Sequence, residues 1–399
     1  MGGNAKRMSF IHENLSLTFG KMFDIYQECG LGKRSFIEKF DGVNLFFRYD
    51  SSSDTIRFSR NKSHLKIGGM TEKQFRGFFS GHPAEKQFYA AISFICRNKK
   101  HISLSWNNHV TRNLPDVPEE KIYVNLDYLD PNFHQTLKYD CQAIAMHNVW
   151  VFNNKWENDR YLNGFHFSRF SNEIEKNSPD AIYGQVEVKT PPMVYTDIVN
   201  MREELRKEVE RVIPHDSSLS TWEHTIENYV RFQAIKIASE KCLISDQADL
   251  NKFADILLGY GKRNDLRDFN KKYSKVRETT NSWISSQRRV STILKLLLPL
   301  TVIGEKFGSK MLEGISSSKI SYRHAEEKRL GLQMDHSIRL VGESITGSWK
   351  NMSGYLKRYR EASCGIQTIE GVVFNYEGNI YKITGSFSTM NRIIGEARY

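Results

Sequence analysis

Apolar side chains recur at every second position in Ile56-Arg57-Phe58-Ser59-Arg60, Ile102-Ser103-Leu104-Ser105-Trp106 and Ile122-Tyr123-Val124-Asn125-Leu126-Asp127-Tyr128. That period predicts strands with one buried face. The run from Ala143 to Phe152 is more continuously apolar and predicts a central strand. Helices are predicted over 71–79 and 84–98, and Gln185-Val186-Glu187-Val188 closes this strand-rich part before Pro191-Pro192.

From residue 195 to 360 the period lengthens to that of helices. Helices are predicted over 197–212, 249–258, 264–298, 303–312 and 322–343. Ser220-Thr221-Trp222-Glu223 reads as a capping box that opens a further helix through Lys241. The most apolar stretch, 293–303, contains Lys295 and Pro299, is too short to span a bilayer, and predicts a buried helix end. After residue 365 the strand period returns, and Ile369 to Gly385 reads as a hairpin turning at Tyr376-Glu377-Gly378-Asn379. The predicted fold class is α+β. A strand-rich core over 1–190 is closed by 361–399, and a large, mainly helical insertion occupies 195–360.

Charge narrows the partners. The 399 residues carry 57 Lys and Arg against 46 Asp and Glu, a formal charge of +11. Such an excess favours a polyanion, most simply nucleic acid or nucleotide; a basic protein without such a partner is the plain alternative. Segment 261–295 is rich in Lys and Arg, either as a solvated helix face or as a nucleic-acid contact. Five dispersed cysteines without a Cys-x-x-Cys pair predict free thiols, a reducing cytoplasmic setting and no zinc site. The start of the chain has no secretory pattern, and no membrane association is expected.

Candidate chemistry lies in Phe36-Ile37-Glu38-Lys39-Phe40-Asp41-Gly42-Val43-Asn44-Leu45-Phe46-Phe47. Asp-Gly is poor strand material, and a hairpin turn is the plain explanation. The other is a lysine nucleophile at a nucleotide pocket, beside a turn that lets backbone approach a phosphate. Glu370-Gly371-Val372-Val373-Phe374 and Tyr381-Lys382-Ile383 place a carboxylate at one strand start and a lysine on its hairpin partner. Together they suit phosphoryl transfer, the carboxylate for a divalent metal and the lysine for a phosphate. The alternatives are a surface lysine beside a turn and an exposed strand-end acid.

In this order, Lys39-x-Asp41-Gly42, Glu370-Gly371-Val372-Val373 and the Lys382 strand resemble motifs of the covalent nucleotidyltransferases, which include ATP-dependent DNA and RNA ligases and capping enzymes. Asn44, five residues after Lys39, is similar to the nick-sealing RNA ligase type. The resemblance covers 36–152 and 366–387. It implies a ligase-type core of antiparallel sheets with helices, ATP as the nucleotide, and Mg2+ or Mn2+. It implies Lys39, Asn44 and Lys382 as catalytic residues, with Glu370 and Asn44 toward the metal. Glu38, Asp41, Gly42, Arg60, Asp127, His147, Glu370 and Lys382 would bind the nucleotide. Arg60 looks like the arginine at the ribose or the 3′ end of the accepting strand, and Asp127 stands where a glutamate usually binds the ribose. His147 stands where an aromatic stacks on the purine, with Trp150 as the competing choice and a core histidine as the plain reading.

Two departures mark this chain. Thr384 replaces the second lysine of the last motif, and the 15 residues after it leave no room for a C-terminal OB domain. In general organisation the chain also resembles a group of large-phage proteins with a Gly-Gly-rich start and an Arg-Asn-Lys segment, which would place it in a host cytoplasm. The implied activity is ATP-dependent ligation through a Lys39–AMP intermediate, on RNA in preference to DNA. The rivals are a DNA ligase or other nucleotidyltransferase, and a non-catalytic nucleic-acid-binding protein that kept the core.

Overall fold

Among the described residues ten strands divide between two sheets: β1 (Phe36–Lys39), β2 (Val43–Asp50), β3 (Thr55–Ser59), β4 (Ile122–Leu129), β5 (Ala143–Phe152), β6 (Asn158–Tyr161), β7 (Ala181–Tyr183), β8 (Glu187–Val188), β9 (Gly371–Tyr376) and β10 (Asn379–Ile383). An antiparallel four-stranded sheet has the order β10-β9-β1-β8. A six-stranded sheet has the order β3-β2-β4-β5-β6, with β7 added parallel to β5. The computed structural model describes residues 8–40, 42–82, 84–131, 141–214, 219–261, 263–286, 288–313, 315 and 369–385.

The helices are α1 (Phe19–Gly30), α2 (Lys62–Lys66), α3 (Glu72–Phe78), α4 (Glu85–Arg97), α5 (Lys99–Ser105), α6 (Gly164–Asn177), α7 (Tyr195–Val212), α8 (Ile226–Lys241), α9 (Gln247–Leu258), α10 (Arg263–Lys272), α11 (Arg277–Ile284), α12 (Arg289–Leu296) and α13 (Leu298–Leu312). The fold is thus mixed α+β, as its sequence predicts. Among the described residues no helix is long and apolar enough to cross a membrane.

Local chemistry explains most boundaries. Thr71 accepts from the Gln74 N–H while the Gln74 side chain reaches back, a capping box that starts α3. On α7, Ile198, Met201, Leu205 and Val209 are buried at spacings of three and four, the stripe of a helix packed on a core. Glu377 (φ 49°) and Gly378 (φ 78°) both take positive φ, the turn that matches the twist of a two-residue hairpin between β9 and β10.

Several expectations are corrected. Ile102–Ser105 is helical in α5, and Trp106–Val110 continues as a π-helical turn. Ile102, Ser105, Trp106 and Val110 are buried there at helical spacing while Leu104 is exposed, so a five-residue alternation was outweighed by packing. Ser220 and Glu223 do hydrogen-bond, from both Ser220 N and Oγ to Glu223 Oε2, but they close a turn. The helix begins at Ile226, capped by Thr225. Segment 264–298 is three short helices that each pack against α9, because a single straight rod would carry Phe269, Ile284 and Leu296 away from one core. Helices α1, α2 and α6 have no counterpart among the predicted elements, and 322–343 lies outside the described residues.

Two large cores flank the sheets. One joins α1, the helices from α7 to α13 and one face of the four-stranded sheet. The other joins α3 to α6 with one face of the six-stranded sheet. Strands β1 and β2 do not form a hairpin: β1 pairs with β8 and β9, whereas β2 pairs with β3 and β4, so the chain crosses from one sheet to the other between them.

Candidate functional site

The crossover is pinned on both sides. Phe40 is buried in a small core with Leu129, Ala143, Ala145 and Val186. Gly42 lies so close to β4 that a Cβ there would stand 2.7 Å from Asp127 Cβ and 2.9 Å from the Tyr128 carbonyl oxygen. Glycine is therefore required here by close approach. Lys39, the last residue of β1, directly precedes this anchored phenylalanine.

Strand register supplies its partner. Lys39 lies opposite Gly371 on β9, and the Lys39 ammonium forms an ion pair with Glu370 Oε1. The two side chains are only 17% and 8% exposed. At Gly371 a Cβ would collide with the Ile383 carbonyl oxygen and stand 2.9 Å from Thr384 Cα, so glycine lets β10 close over the residue after Glu370. Lys382 pairs with Val373, which pairs with Ile37, so Lys382 and Lys39 share a sheet face two strands apart. The Lys382 ammonium lies 4.3 Å from the Phe10 ring centroid, and Ser9 bridges to Tyr381 beside it.

The six-stranded sheet contributes a polar network. Asn44 lies directly opposite Asp127. Its Nδ2 donates to the Leu126 carbonyl at 3.1 Å, and its Oδ1 accepts from Arg60 Nη1 at 3.4 Å. Across β4, an irregularity in the register with β5 leaves His147 unpaired in the ladder, and His147 Nε2 contacts Asp127 Oδ2 at 3.0 Å. Burial pushes the Asp127 carboxyl up, but His147, Lys39 and Asn44 outweigh it and hold the group below the usual range. Burial lowers Arg60, opposed by the pull of Asp127. Lys39, Asn44, Arg60, Asp127, His147 and Glu370 thus form one connected group, with Lys382 on the flank.

Other sequence candidates fall differently. Glu38 pairs with Val372, and strand alternation turns it to the face opposite Lys39, where it is buried. Asp41 lies outside the described residues. Trp150 packs edge-on to Phe46 with ring centroids 5.1 Å apart, in an aromatic cluster with Phe152 and Tyr161. Thr384 is 2% exposed and its methyl group lines the space beside Gly371.

The arrangement bears on a metal. Glu370 is the carboxylate beside Lys39, whereas the Asn44 oxygen is already directed at Arg60. Among the described residues no three His, Cys, Asp or Glu side chains cluster as a cage. Magnesium is commonly held by one or two carboxylates together with substrate phosphates and water, and Glu370 fits that style of site.

Three contributors had no sequence signal. His64 Nδ1 accepts from the Arg60 backbone N–H at 3.2 Å and so fixes Arg60. The Gln185 amide donates to the His147 carbonyl. Phe10 supplies the ring beneath Lys382. All three are set by tertiary contact. Compared with known proteins, the chain matches no family model and no curated sequence.

Proposed function

We propose that this chain is an ATP-dependent polynucleotide ligase, acting on RNA in preference to DNA, with Lys39 as its covalent nucleophile. The observation that carries the reading is the meeting of Lys39 and Glu370 at the foot of two paired strands, with Asp127 and Arg60 across the crossover. Lysine, carboxylates and arginine around one amine are the parts that nucleotidyl transfer needs.

In the ion pair Lys39 is an ammonium, so reaction begins when the pair opens and a proton leaves the amine. The free Nζ attacks the α-phosphorus of ATP, forming a P–N bond while the bond to pyrophosphate breaks. Arg60 and Lys382 offset negative charge on the phosphates, and Asp127, held anionic, accepts hydrogen bonds from the ribose hydroxyls. A 5′-phosphate oxygen then displaces Lys39 from the adenylate. Finally a 3′-hydroxyl attacks that 5′-phosphate and AMP departs. Magnesium or manganese, held by Glu370 and substrate phosphates, would supply further charge neutralisation.

Incubation with α-labelled ATP or GTP and magnesium, followed by denaturing electrophoresis, tests the first step. Label retained on the chain and lost in Lys39→Ala supports the reading. Absence of label with both nucleotides, in protein whose intact mass shows no preloaded nucleotide, defeats it. A non-catalytic nucleic-acid-binding role is the second reading, favoured by the buried Thr384 in place of a second lysine.

A further inference from the structure

The segment after Arg60 presents a surface that the nucleotide site does not use. Residues 61–82 carry Lys62, Lys66, Lys73 and Arg76 against the single acid Glu72. Glu72 is taken by Arg76, at 2.8 Å. Among the described residues Lys62, Lys66 and Lys73 have no ion-pair partner. In the same segment Phe78, the last residue of α3, is 63% exposed and Ile67, just after α2, is 69% exposed. Phe75 and Phe79 of this region point into the core.

A single exposed phenylalanine is ordinary. This one is tied to the site. Its ring stands edge-on to the buried His64 ring at 4.8 Å, and His64 Nδ1 receives the Arg60 backbone N–H at 3.2 Å. Arg60 in turn donates to Asn44, opposite Asp127. Direct contacts therefore run from Phe78 through His64 and Arg60 to Asn44 on β2, which lies opposite Asp127. An exposed ring in a short segment whose lysines make no ion pair is the combination that binds unpaired nucleotides, the ring by stacking on a base and the lysines by contacting phosphates.

We propose that α2 and α3 form a platform for a single-stranded nucleic-acid segment, with Phe78 stacking one unpaired base next to Arg60 while Lys62, Lys66 and Lys73 track its backbone. The inference rests on the ligase reading only for what the strand is doing there. It implies that the joined end is presented as a single strand or overhang, in preference to a blunt duplex.

Fluorescence anisotropy with a short 5′-phosphorylated single-stranded RNA and a blunt duplex of equal length, over a salt series, tests this. Phe78→Ala weakens single-strand binding by about 5- to 100-fold, Phe78→Trp retains it, and blunt-duplex binding changes little. A combined Lys62→Gln, Lys66→Gln and Lys73→Gln variant flattens the slope of log affinity against log salt by about 2. All substituted side chains are partly or fully exposed, so thermal melting should stay near wild type. Single-strand affinity unchanged in both Phe78→Ala and the triple variant overturns the platform. Labelling of Lys39 by ATP without RNA is read in parallel. Labelling with unchanged RNA affinity defeats the platform alone, and platform-dependent binding without labelling in wild type defeats the enzymatic reading alone.

Discussion

Lys39 and Glu370 are 331 residues apart in sequence and share one nearly buried ion pair. Every chemical role suggested for Lys39 passes through that contact, because the amine must leave the carboxylate to react.

Removing either partner leaves the other poorly solvated. Glu370→Gln and Lys39→Met should each destabilise the protein by about 1–3 kcal/mol in urea unfolding, and the double variant should cost less than the sum by about 1–2 kcal/mol. Strict additivity would show that the pair does not hold the two sheet strands together.

The two close-approach glycines differ in what they touch. Gly42→Ala presses a methyl on Asp127 and Tyr128, and should cost about 1–3 kcal/mol and abolish covalent labelling. Gly371→Ala meets backbone at Ile383 and Thr384, which cannot rotate away, and should cost more. Gly77→Ala, in α3 with open space around it, should be neutral or stabilise by up to about 1 kcal/mol. Equal melting temperatures for the three variants would contradict the packing.

His64 makes stability depend on pH. Burial, with Arg60 adding to it, lowers its proton affinity, so the unfolded chain binds the proton more readily. The contribution of His64 is therefore fully present above the unfolded value of about 6.5 and is lost as pH falls through the lower folded value. His64→Phe should reduce the slope of unfolding free energy against pH on the acid side of about 6.5. An unchanged slope would contradict this.

Thr384 occupies an enclosed place. Thr384→Lys, which restores the lysine of the resembled motif, should destabilise the chain by about 2–4 kcal/mol, because the ammonium is forced into a nearly buried position. It should not raise the labelling rate. Stable folding with faster labelling would show that the position opens toward the nucleotide.

The local period of side chains determined β4, β5, α3, α4, α7 and α9, and the Glu377-Gly378 pair determined the last hairpin, because both signals lie within a few residues. The site residues were legible as types in order: an amine at 39, a carboxylate at 370, a second amine at 382. Their meeting was not, since pairing of β1 with β9 closes a loop of more than three hundred residues and leaves no local trace. Tertiary structure alone decided that β1 and β2 belong to different sheets, that Glu38 turns away from Lys39, and that His147 turns toward Asp127 at an irregular register. It also decided that Ile102 to Ser105 is helical, because five alternating residues satisfy either period until a partner surface selects one face. Sequence fixed which chemical groups this chain has; packing of its two sheets fixed which of them touch.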